Sequence, residues 1–395
     1  MKIRRVAILT LSVGAGHLRA AEAVHRAVYA GGDDVDARTI DLLKHSSRWF
    51  LAVYVTTYWQ MLRRAPWMWR WLFIRRQKKM HRKTAPWWIF RRGCRAALEQ
   101  LKTLAPHLVI ATEVGAAEFA AMARRGGWFD APIIAVQTDF YTEPPWVQPE
   151  IDVYCVASEE AKSQLISWGV SSNRVVTCGI PVDSAFALRF DRAELFQALG
   201  LDAGRPVVLV MGGGMGPAPL DQIVERLAFC RQPLQVLAVA GNNRELRARL
   251  EALRGRVMLD LHVFGWTDKI PELMAVSNLL ITKPGGVTAA EALAVGLPMV
   301  LTHPIPGPEE LHLRYLAERA VAVEAKSLNE IPGVVSALLA DGAALKRMTQ
   351  QAREAARPDA AFAVAQIARA VLEKGTYIDL LASPTLRPDE SIFVM

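Results

Sequence analysis

The chain of 395 residues is long enough for two domains with separate cores, and its 52% hydrophobic content indicates a globular rather than a disordered protein. The spacing of Cys94, Cys155, Cys178 and Cys230 suits neither a disulfide framework nor a structural zinc site and favours a reducing compartment. The net charge of +8 originates in one region, because residues 42–98 hold 14 of the 47 Lys and Arg residues and no acidic residue.

The first predicted element is a buried strand from Val6 to Leu11, which ends in SVGAGH and leads to a helical pattern from about Leu18 to Tyr29. This apolar run is too short for the core of a signal peptide. The longest uncharged stretch that follows, residues 49–62, contains polar side chains and is shorter than the roughly 20 apolar residues that span a bilayer. We therefore predict no transmembrane segment.

The acid-free residues 42–98 form what we call the basic tryptophan-rich segment, with seven of the eleven tryptophans. Lys and Arg attract anionic headgroups and Trp favours the interface, so the segment predicts peripheral binding to an anionic membrane surface. Pro66 and Pro86 suit the starts of short interfacial helices. The residues predicted to contact the membrane are Trp59, Arg63, Arg64, Trp67, Trp69, Trp71, Arg75, Arg76, Trp87 and Trp88.

Two other partners fit a basic and aromatic segment. Single-stranded nucleic acid uses the same residue types, but the bulky apolar residues here come in blocks rather than as isolated stacking platforms, which favours the membrane. We therefore predict no nucleic-acid partner. An oligomer interface is the third alternative.

Further short apolar runs predict strands in both halves of the chain, with helical-length segments between most of them. This alternation is typical of βαβ units and predicts an α/β protein with two Rossmann-like, doubly wound domains facing a cleft. The predicted divisions are a first domain at 1–185, a linker at 186–205, a second domain at 206–375 and a tail at 376–395. The predicted strands are 107–112, 132–136, 151–156, 206–211, 234–240, 257–264, 279–282, 298–302 and 320–323.

His17 is the leading catalytic candidate, because it follows GAG at a predicted helix start that faces the cleft. A helix N-terminus disfavours the imidazolium, so His17 should be neutral near pH 7 and able to accept a proton. The position also suits a capping side chain or a ligand for an anion without chemistry. Asp139, at the end of the strand that begins near residue 132, is the second candidate, either as the base or as the residue that orients His17.

The stretch 283–315 follows a predicted strand with Gly285, Gly286 and a helix at 287–295. Free backbone N–H groups at a helix N-terminus can hold a diphosphate. Glu291, one to one and a half turns into the helix, can accept hydrogen bonds from both ribose hydroxyls. The spacing fits equally well a strand–turn–helix unit with glycines for close packing and Glu291 as a solvated charge.

Five stretches in order, within about residues 10 to 325, resemble one family: SVGAGHLRAAEA, QTDF with Trp146 downstream, VTCGIPV, VLVMGGGMG and KPGGVTAAEAL. The chain is similar to the processive diacylglycerol glucosyltransferases and monogalactosyldiacylglycerol synthases, which share a fold with the N-acetylglucosaminyltransferase that completes lipid II. The resemblance implies a GT-B fold, an acceptor-side first domain and a donor site on the second. It also implies that no metal or other cofactor is needed.

The resemblance further implies inverting transfer of glucose or galactose from a UDP-hexose to diacylglycerol or a glycosyl-diacylglycerol, on the cytoplasmic side of the membrane. The resemblance favours a catalytic role for His17. It also implies that the loop Phe264–Trp266 frames the uracil of the UDP-hexose. The residues it assigns to the donor are Gly213, Gly214, Met215, Phe264, Gly265, Trp266, Lys283, Gly285, Gly286, Thr288, Glu291, Glu309 and Glu310.

Two positions depart from the family pattern. Glu143 stands where the family usually has His, and Pro308 stands where it usually has Gln. Because of Glu143, the family pattern does not identify the contacts with the acceptor. Because of Pro308, it does not identify the transferred sugar. A UDP-sugar epimerase of the same architecture and a non-catalytic membrane-surface protein that binds nucleotide sugar are the alternative functions.

Overall fold

The computed structural model describes residues 3–374 except 31, 33, 81–85 and 213–217. Its described residues form two parallel sheets of six strands. The first sheet has the order β2-β1-β3-β4-β5-β6. Its strands are β1 Arg4–Thr10, β2 Val35–Asp41, β3 Leu108–Ala111, β4 Ile133–Val136, β5 Val153–Val156 and β6 Val175–Thr177.

The second sheet has the order β12-β11-β10-β7-β8-β9 and is also parallel. Strands in its centre are buried on both faces, which explains their continuous apolar sequences. Its strands are β7 Val207–Met211, β8 Gln235–Val239, β9 Asp260–Phe264, β10 Leu279–Thr282, β11 Met299–Leu301 and β12 Ala322–Glu324.

Helices cover both sheets. The helices associated with the first half are α1 Ala15–Ala30, α2 Arg48–Phe50, α3 Thr57–Arg64, α4 Pro66–Lys78, α5 Trp87–Gly93, α6 Arg95–Leu104, α7 Val114–Arg125 and α8 Glu159–Ser167. Those that follow are α9 Arg192–Leu199, α10 Leu220–Leu227, α11 Arg244–Leu253, α12 Ile270–Val276, α13 Gly286–Val295, α14 Pro308–Glu318, α15 Ile331–Ala340, α16 Gly342–Ala355 and α17 Ala360–Lys374.

The basic tryptophan-rich segment folds into short helices. A π-helical stretch, Leu51–Thr56, joins α2 to α3, and the junction residues keep helical dihedral angles, so the chain is helical from residue 48 to residue 64. That helix ends before Pro66, which disfavours helical geometry in the preceding residue and occupies the first position of α4. Pro86 occupies the N-cap of α5, so it also stands at a helix start.

The domain boundaries differ from the prediction at the C-terminal end. Helix α17, which the sequence assigned to the second domain, packs on the first sheet, with Val364 and Ala368 in one core cluster with Val6 and Val24. The predicted linker 186–205 contains α9, whose Phe196 is buried in the core of the second domain. No helix within the described residues is both long and apolar enough to cross a bilayer.

The two domains meet where α1 approaches α13. A Cβ on Gly16 would lie 3.4 Å from Val287 of α13. A Cβ on Gly286 would overlap the carbonyl oxygen of Thr138, which belongs to the first domain. Glycine at position 286 therefore permits the close approach of the two domains.

Candidate active site

The site is built from loops that follow the carboxyl ends of neighbouring strands, where open α/β sheets bind ligands. In the first domain the neighbouring strands β1, β3 and β4 are followed by His17, Glu113 and Asp139, respectively. In the second domain β10 leads into Gly285 and the first turn of α13. The packing of Gly286 on Thr138 brings these two sets of loops together.

His17 lies in the first turn of α1, and its Nδ1 is 2.8 Å from the hydroxyl oxygen of Thr138. Burial lowers the pKa of His17, the charge of Asp139 raises it, and Lys283 and His312 lower it, with a net decrease from 6.5. The imidazole is therefore neutral near pH 7. In the tautomer whose Nδ1–H donates to Thr138, Nε2 is free to accept a proton.

Asp139 contacts the second domain through His312 of α14. The Nε2 of His312 lies 3.2 Å from Oδ1 of Asp139, and its Nδ1 lies 2.9 Å from the carbonyl oxygen of Pro284. Burial raises the pKa of Asp139, but the contact with His312 and the charges of His17 and Lys283 outweigh it, so the pKa lies below 3.8. Asp139 is therefore ionised near neutral pH, and its negative charge faces His17.

Glu291 is buried in α13, with a relative exposure of 2%, so its interpretation as a solvated charge is wrong. Its Oε1 lies 3.2 Å from Nη1 of Arg19, which belongs to α1 of the first domain. Its Oε2 is buried and has no hydrogen-bond partner among the residues that the structure describes. Burial raises the pKa of Glu291 to about 7, Arg19 opposes this increase and Asp183 adds to it.

The other carboxylates assigned to the donor have partners. Glu309 is buried, forms an ion pair with Lys283, and accepts a 2.8 Å hydrogen bond from the backbone N–H of Ile305. A Cβ on Gly285 would lie 3.4 Å from Nζ of Lys283, which places this ion pair beside the start of α13. Glu310 is more exposed and pairs with Arg70 of α4 at 2.9 Å. The contact between Glu310 and Arg70 connects the start of α14, on the donor side, to the basic tryptophan-rich segment.

The remaining donor assignments lie at the rim of the second domain. Phe264 ends β9 and is half-buried, whereas Trp266 is 66% exposed. A Cβ on Gly265 would lie 3.2 Å from the guanidinium of Arg247. Thr288 is half-buried in the first turn of α13. The predictions for Gly213, Gly214 and Met215 lie outside the described residues.

The basic tryptophan-rich segment has an outer and an inner side. Trp67, Trp71 and Trp88 are 72%, 52% and 58% exposed. Phe73, on the other side of α4, is buried, and a Cβ on Gly307 of the second domain would lie 2.9 Å from its ring. Arg63, Arg64 and Arg75 are also exposed.

Several predicted membrane residues face the protein instead. Arg76 forms an ion pair with Glu143, and both side chains are largely buried. The indole nitrogens of Trp59 and Trp69 are buried, and Trp69 packs edge-on against Tyr58. The partly buried Trp87 packs on the core of the first domain. We therefore remove Arg76, Trp59, Trp69 and Trp87 from the predicted membrane surface.

Sequence reasoning missed three residues of the site. His312 and Arg19 form contacts between the domains and have no motif signal of their own. Arg19 lies inside SVGAGHLRAAEA, whereas His312 lies downstream of KPGGVTAAEAL. Glu113 follows β3 and caps α7 by accepting a hydrogen bond from the N–H of Ala116 at 2.9 Å. Burial raises the pKa of Glu113 to about 8, although hydrogen bonds from the backbone N–H groups of Ala116 and Gly115 lower it. The sequence signal for Glu113 was its position directly after β3, between the strands that lead to His17 and Asp139.

Comparison with known proteins agrees with the predicted resemblance. Residues 17–182 match the family described as monogalactosyldiacylglycerol (MGDG) synthase, and residues 191–355 match the family described as glycosyl transferases group 1. The chain is 30% identical over 377 residues to a processive diacylglycerol beta-glucosyltransferase of Bacillus cytotoxicus, with 95% of each chain covered. A relative of the same description from Bacillus mycoides is 29% identical over 367 residues and covers 91% of this chain and 92% of its own.

Solved structures share the fold at low sequence identity. MurG from Acinetobacter baumannii superposes with a TM-score of 0.61 at 16% identity, covering 93% of this chain and 99% of its own. UDP-GlcNAc 2-epimerase from Neisseria meningitidis, bound to UDP-GlcNAc, gives a TM-score of 0.59 at 13% identity, covering 93% and 100%. The predicted fold class, two Rossmann-like domains in the GT-B arrangement, is confirmed.

Proposed function

We propose, on the premise that this chain belongs to the family of the processive diacylglycerol β-glucosyltransferases, that it transfers a hexose from a UDP-sugar to diacylglycerol or a glycosyl-diacylglycerol. The observation that carries the proposal is the juxtaposition of two loops. His17 and Asp139 of the first domain face His312 and the start of α13 in the second. A proton acceptor thereby lies opposite a helix N-terminus suited to a diphosphate.

The proposed reaction is a single displacement at the anomeric carbon with inversion. The acceptor hydroxyl attacks C1 of the hexose and gives its proton to Nε2 of His17, while the bond from C1 to the diphosphate oxygen breaks. Asp139 stabilises the imidazolium that forms, or accepts the proton itself. UDP leaves with both electrons of the broken bond, and the backbone N–H groups at the start of α13 stabilise its charge.

The proposed donor site lies on the second domain. Gly285, Gly286 and Thr288 at the start of α13 would hold the diphosphate, and Glu291 would accept hydrogen bonds from the ribose hydroxyls. Lys283, which pairs with Glu309, supplies a cation beside the same helix start and would contribute to compensating the diphosphate charge. The loop Phe264–Trp266 would frame the uracil. Gly213, Gly214, Met215, Glu309 and Glu310 complete the proposed donor-binding set.

We place the chain on an anionic membrane surface as a peripheral protein. The exposed tryptophans Trp67, Trp71 and Trp88 are accompanied by exposed arginines, and Trp with Arg is suited to the interfacial zone. The cytoplasmic leaflet carries the anionic lipids that attract such a segment. The spacing of the four cysteines in the sequence, which suits no disulfide framework, also favours a reducing compartment.

Incubation with diacylglycerol liposomes and UDP-glucose or UDP-galactose in turn, with products analysed by mass spectrometry, tests the proposal. We expect a glycosyl-diacylglycerol with one of the two donors. A reaction without liposomes serves as the control for an epimerase, which would convert the UDP-sugar with no acceptor. Conversion that does not depend on lipid, or a protein that binds UDP-sugar without any product, would contradict the transferase assignment.

A further inference from the structure

Arg19 is a residue of the first domain that contacts the proposed ribose carboxylate on the second. It lies two positions after His17 on α1, and its side chain is 35% exposed. Its guanidinium approaches Oε1 of Glu291 at 3.2 Å across the cleft. The contact therefore links the helix that carries the catalytic candidate to the helix that carries the donor site.

The two oxygens of Glu291 have different surroundings. Oε1 is occupied by Arg19, whereas Oε2 is buried without a hydrogen-bond partner among the described residues. A buried carboxylate is unfavourable unless it is paired, because burial removes the water that solvates its charge. Arg19 reduces this cost at one oxygen and leaves the second as an acceptor for hydroxyl groups.

The charged groups around Glu291 come from different elements. Arg19 of α1 favours the ionised form, and Asp183, in the turn that packs against α13, opposes it. Arg353 of α16 packs against Gly296, at the far end of α13. Arg19 is thus the cation whose charge acts directly on Glu291.

We propose that Arg19 is a donor-positioning residue supplied by the acceptor-side domain: it pairs with one oxygen of Glu291 and orients the other oxygen toward the ribose hydroxyls of the nucleotide. This inference rests on the proposed function, because it assumes that Glu291 holds the ribose. The affinity of the second domain for the nucleotide then depends on the first domain.

The proposal predicts a specific pH dependence. Burial raises the pKa of Glu291 to about 7, and Arg19 lowers it. If the ionised form binds the ribose, UDP affinity increases as pH rises through the pKa of Glu291. Removal of Arg19 raises that pKa further, so the increase in affinity moves to higher pH.

Calorimetric titration with UDP from about pH 6 to about pH 9 on the full chain tests this inference. Arg19→Gln is expected to weaken UDP binding about tenfold near pH 7, with a smaller loss at the alkaline end. Arg314→Gln is the matched control, because Arg314 is exposed on α14 and has no ion pair among the described residues. It should keep the wild-type affinity and profile.

Arg19→Lys keeps the charge at a more compact group, so its profile should lie between those of the wild type and Arg19→Gln. If Arg19→Gln does not fold, the pH profile of Arg19→Lys tests whether Arg19 acts through Glu291. A purely structural role would lower the affinity by the same factor at every pH. That result in either Arg19 variant, or a wild-type profile in Arg19→Gln, overturns the inference.

Glu291→Gln separates this inference from the proposed function. If Glu291→Gln weakens UDP binding and the Arg19 variants do not, only the role of Arg19 fails. If Glu291→Gln binds UDP as tightly as the wild type does, the proposed donor site itself fails.

Discussion

The imidazole of His312 lies 3.2 Å from the carboxylate of Asp139, and the two residues belong to different domains. The other imidazole nitrogen lies 2.9 Å from the carbonyl oxygen of Pro284, immediately before the glycines of α13. One side chain thus connects the loop that carries a candidate base to the loop that carries the proposed diphosphate site. The position of Asp139 relative to the donor is consequently fixed by the second domain.

His17→Ala is expected to reduce turnover by roughly a hundredfold or more, because general-base catalysis by the imidazole is lost. UDP affinity should stay close to that of the wild type, because His17 lies on the acceptor side. Steady-state kinetics on liposomal diacylglycerol and calorimetry with UDP measure the two quantities. If only lipid affinity falls, His17 is a headgroup ligand and Asp139 becomes the base; if Asp139→Ala also retains turnover, the proposed mechanism is wrong.

Glu291→Gln is expected to weaken UDP binding by about tenfold to a hundredfold, because a charged hydrogen-bond acceptor to the ribose is lost. Burial raises the pKa of Glu291 to about 7 despite Arg19, so the fold disfavours the ionised carboxylate, and the neutral amide should not lower thermal stability near about pH 8. Calorimetry and thermal unfolding monitored by circular dichroism measure the two effects. A lower melting temperature of Glu291→Gln at that pH would show that the ion pair with Arg19 outweighs the cost of burial.

Gly286→Ala is expected to reduce activity strongly, because the added Cβ would overlap the carbonyl oxygen of Thr138 and hold the two domains apart. Gly333→Ala is the matched control, since a Cβ there meets no atom within 4 Å and alanine is the better helix former. Turnover and small-angle scattering of both variants measure the effect. Normal turnover in Gly286→Ala would mean that catalysis does not need this approach of the domains.

The contribution of Glu113 to protein stability is expected to fall as pH rises above about 5. Burial raises the pKa of Glu113 from 4.5 to about 8, so the folded state binds this proton more strongly than the unfolded state does. The stabilisation is complete below the unfolded pKa and is lost as pH increases toward about 8, with a slope of up to about 1.4 kcal/mol per pH unit. Denaturant unfolding at several pH values measures this slope.

Glu113→Gln should flatten that dependence, because an amide oxygen can still accept the capping hydrogen bond from Ala116 but does not titrate. Glu99→Gln is the control, since it makes the same exchange at an exposed glutamate outside the site. Equal slopes in the wild type and Glu113→Gln would show that Glu113 titrates normally in the folded protein.

Replacement of Trp67, Trp71 and Trp88 with Ser is expected to abolish the salt-resistant part of binding to anionic vesicles, because these exposed rings would enter the interface. The wild type should bind neutral vesicles weakly and be partly released by salt. Vesicle flotation measures binding. Phe229→Ser, which removes a ring that is 71% exposed outside the segment, is the control. Wild-type protein that stays soluble with anionic vesicles at low salt contradicts membrane binding.

The central strands could be predicted because each is a short apolar run bounded by polar or glycine residues. Two strands were missed. Strand β2, VDARTID, lies at the edge of its sheet and carries charged residues, and β6 has only three residues. The docking of α17 on the first sheet could not be predicted, because its partners, among them Val6, Val24 and Leu108, lie far earlier in the chain.

For the site, positions after strands pointed to His17 and Asp139. The spacing around Glu291 fitted a solvated charge equally well, and its donor role followed from the family resemblance. The structure brings all three residues to the cleft. The partners that set their charge states, Arg19 and His312, could not be identified, because each acts across the contact between the domains. The inward orientation of Arg76 likewise depends on its ion pair with Glu143, a position for which the family resemblance implies His.

Helix α4 touches both halves of the molecule, with Phe73 against Gly307 and Arg70 against Glu310 on one side and Arg76 against Glu143 on the other. A chimera that joins the first domain of one relative to the second domain of another near residue 190 would therefore separate α4 from its native contacts in the second domain. A foreign second domain would have to present a glycine with φ near +90° beneath Phe73 and an acid opposite Arg70. Hybrids that carry helix α4 together with the matching 303–310 loop are the ones expected to retain activity.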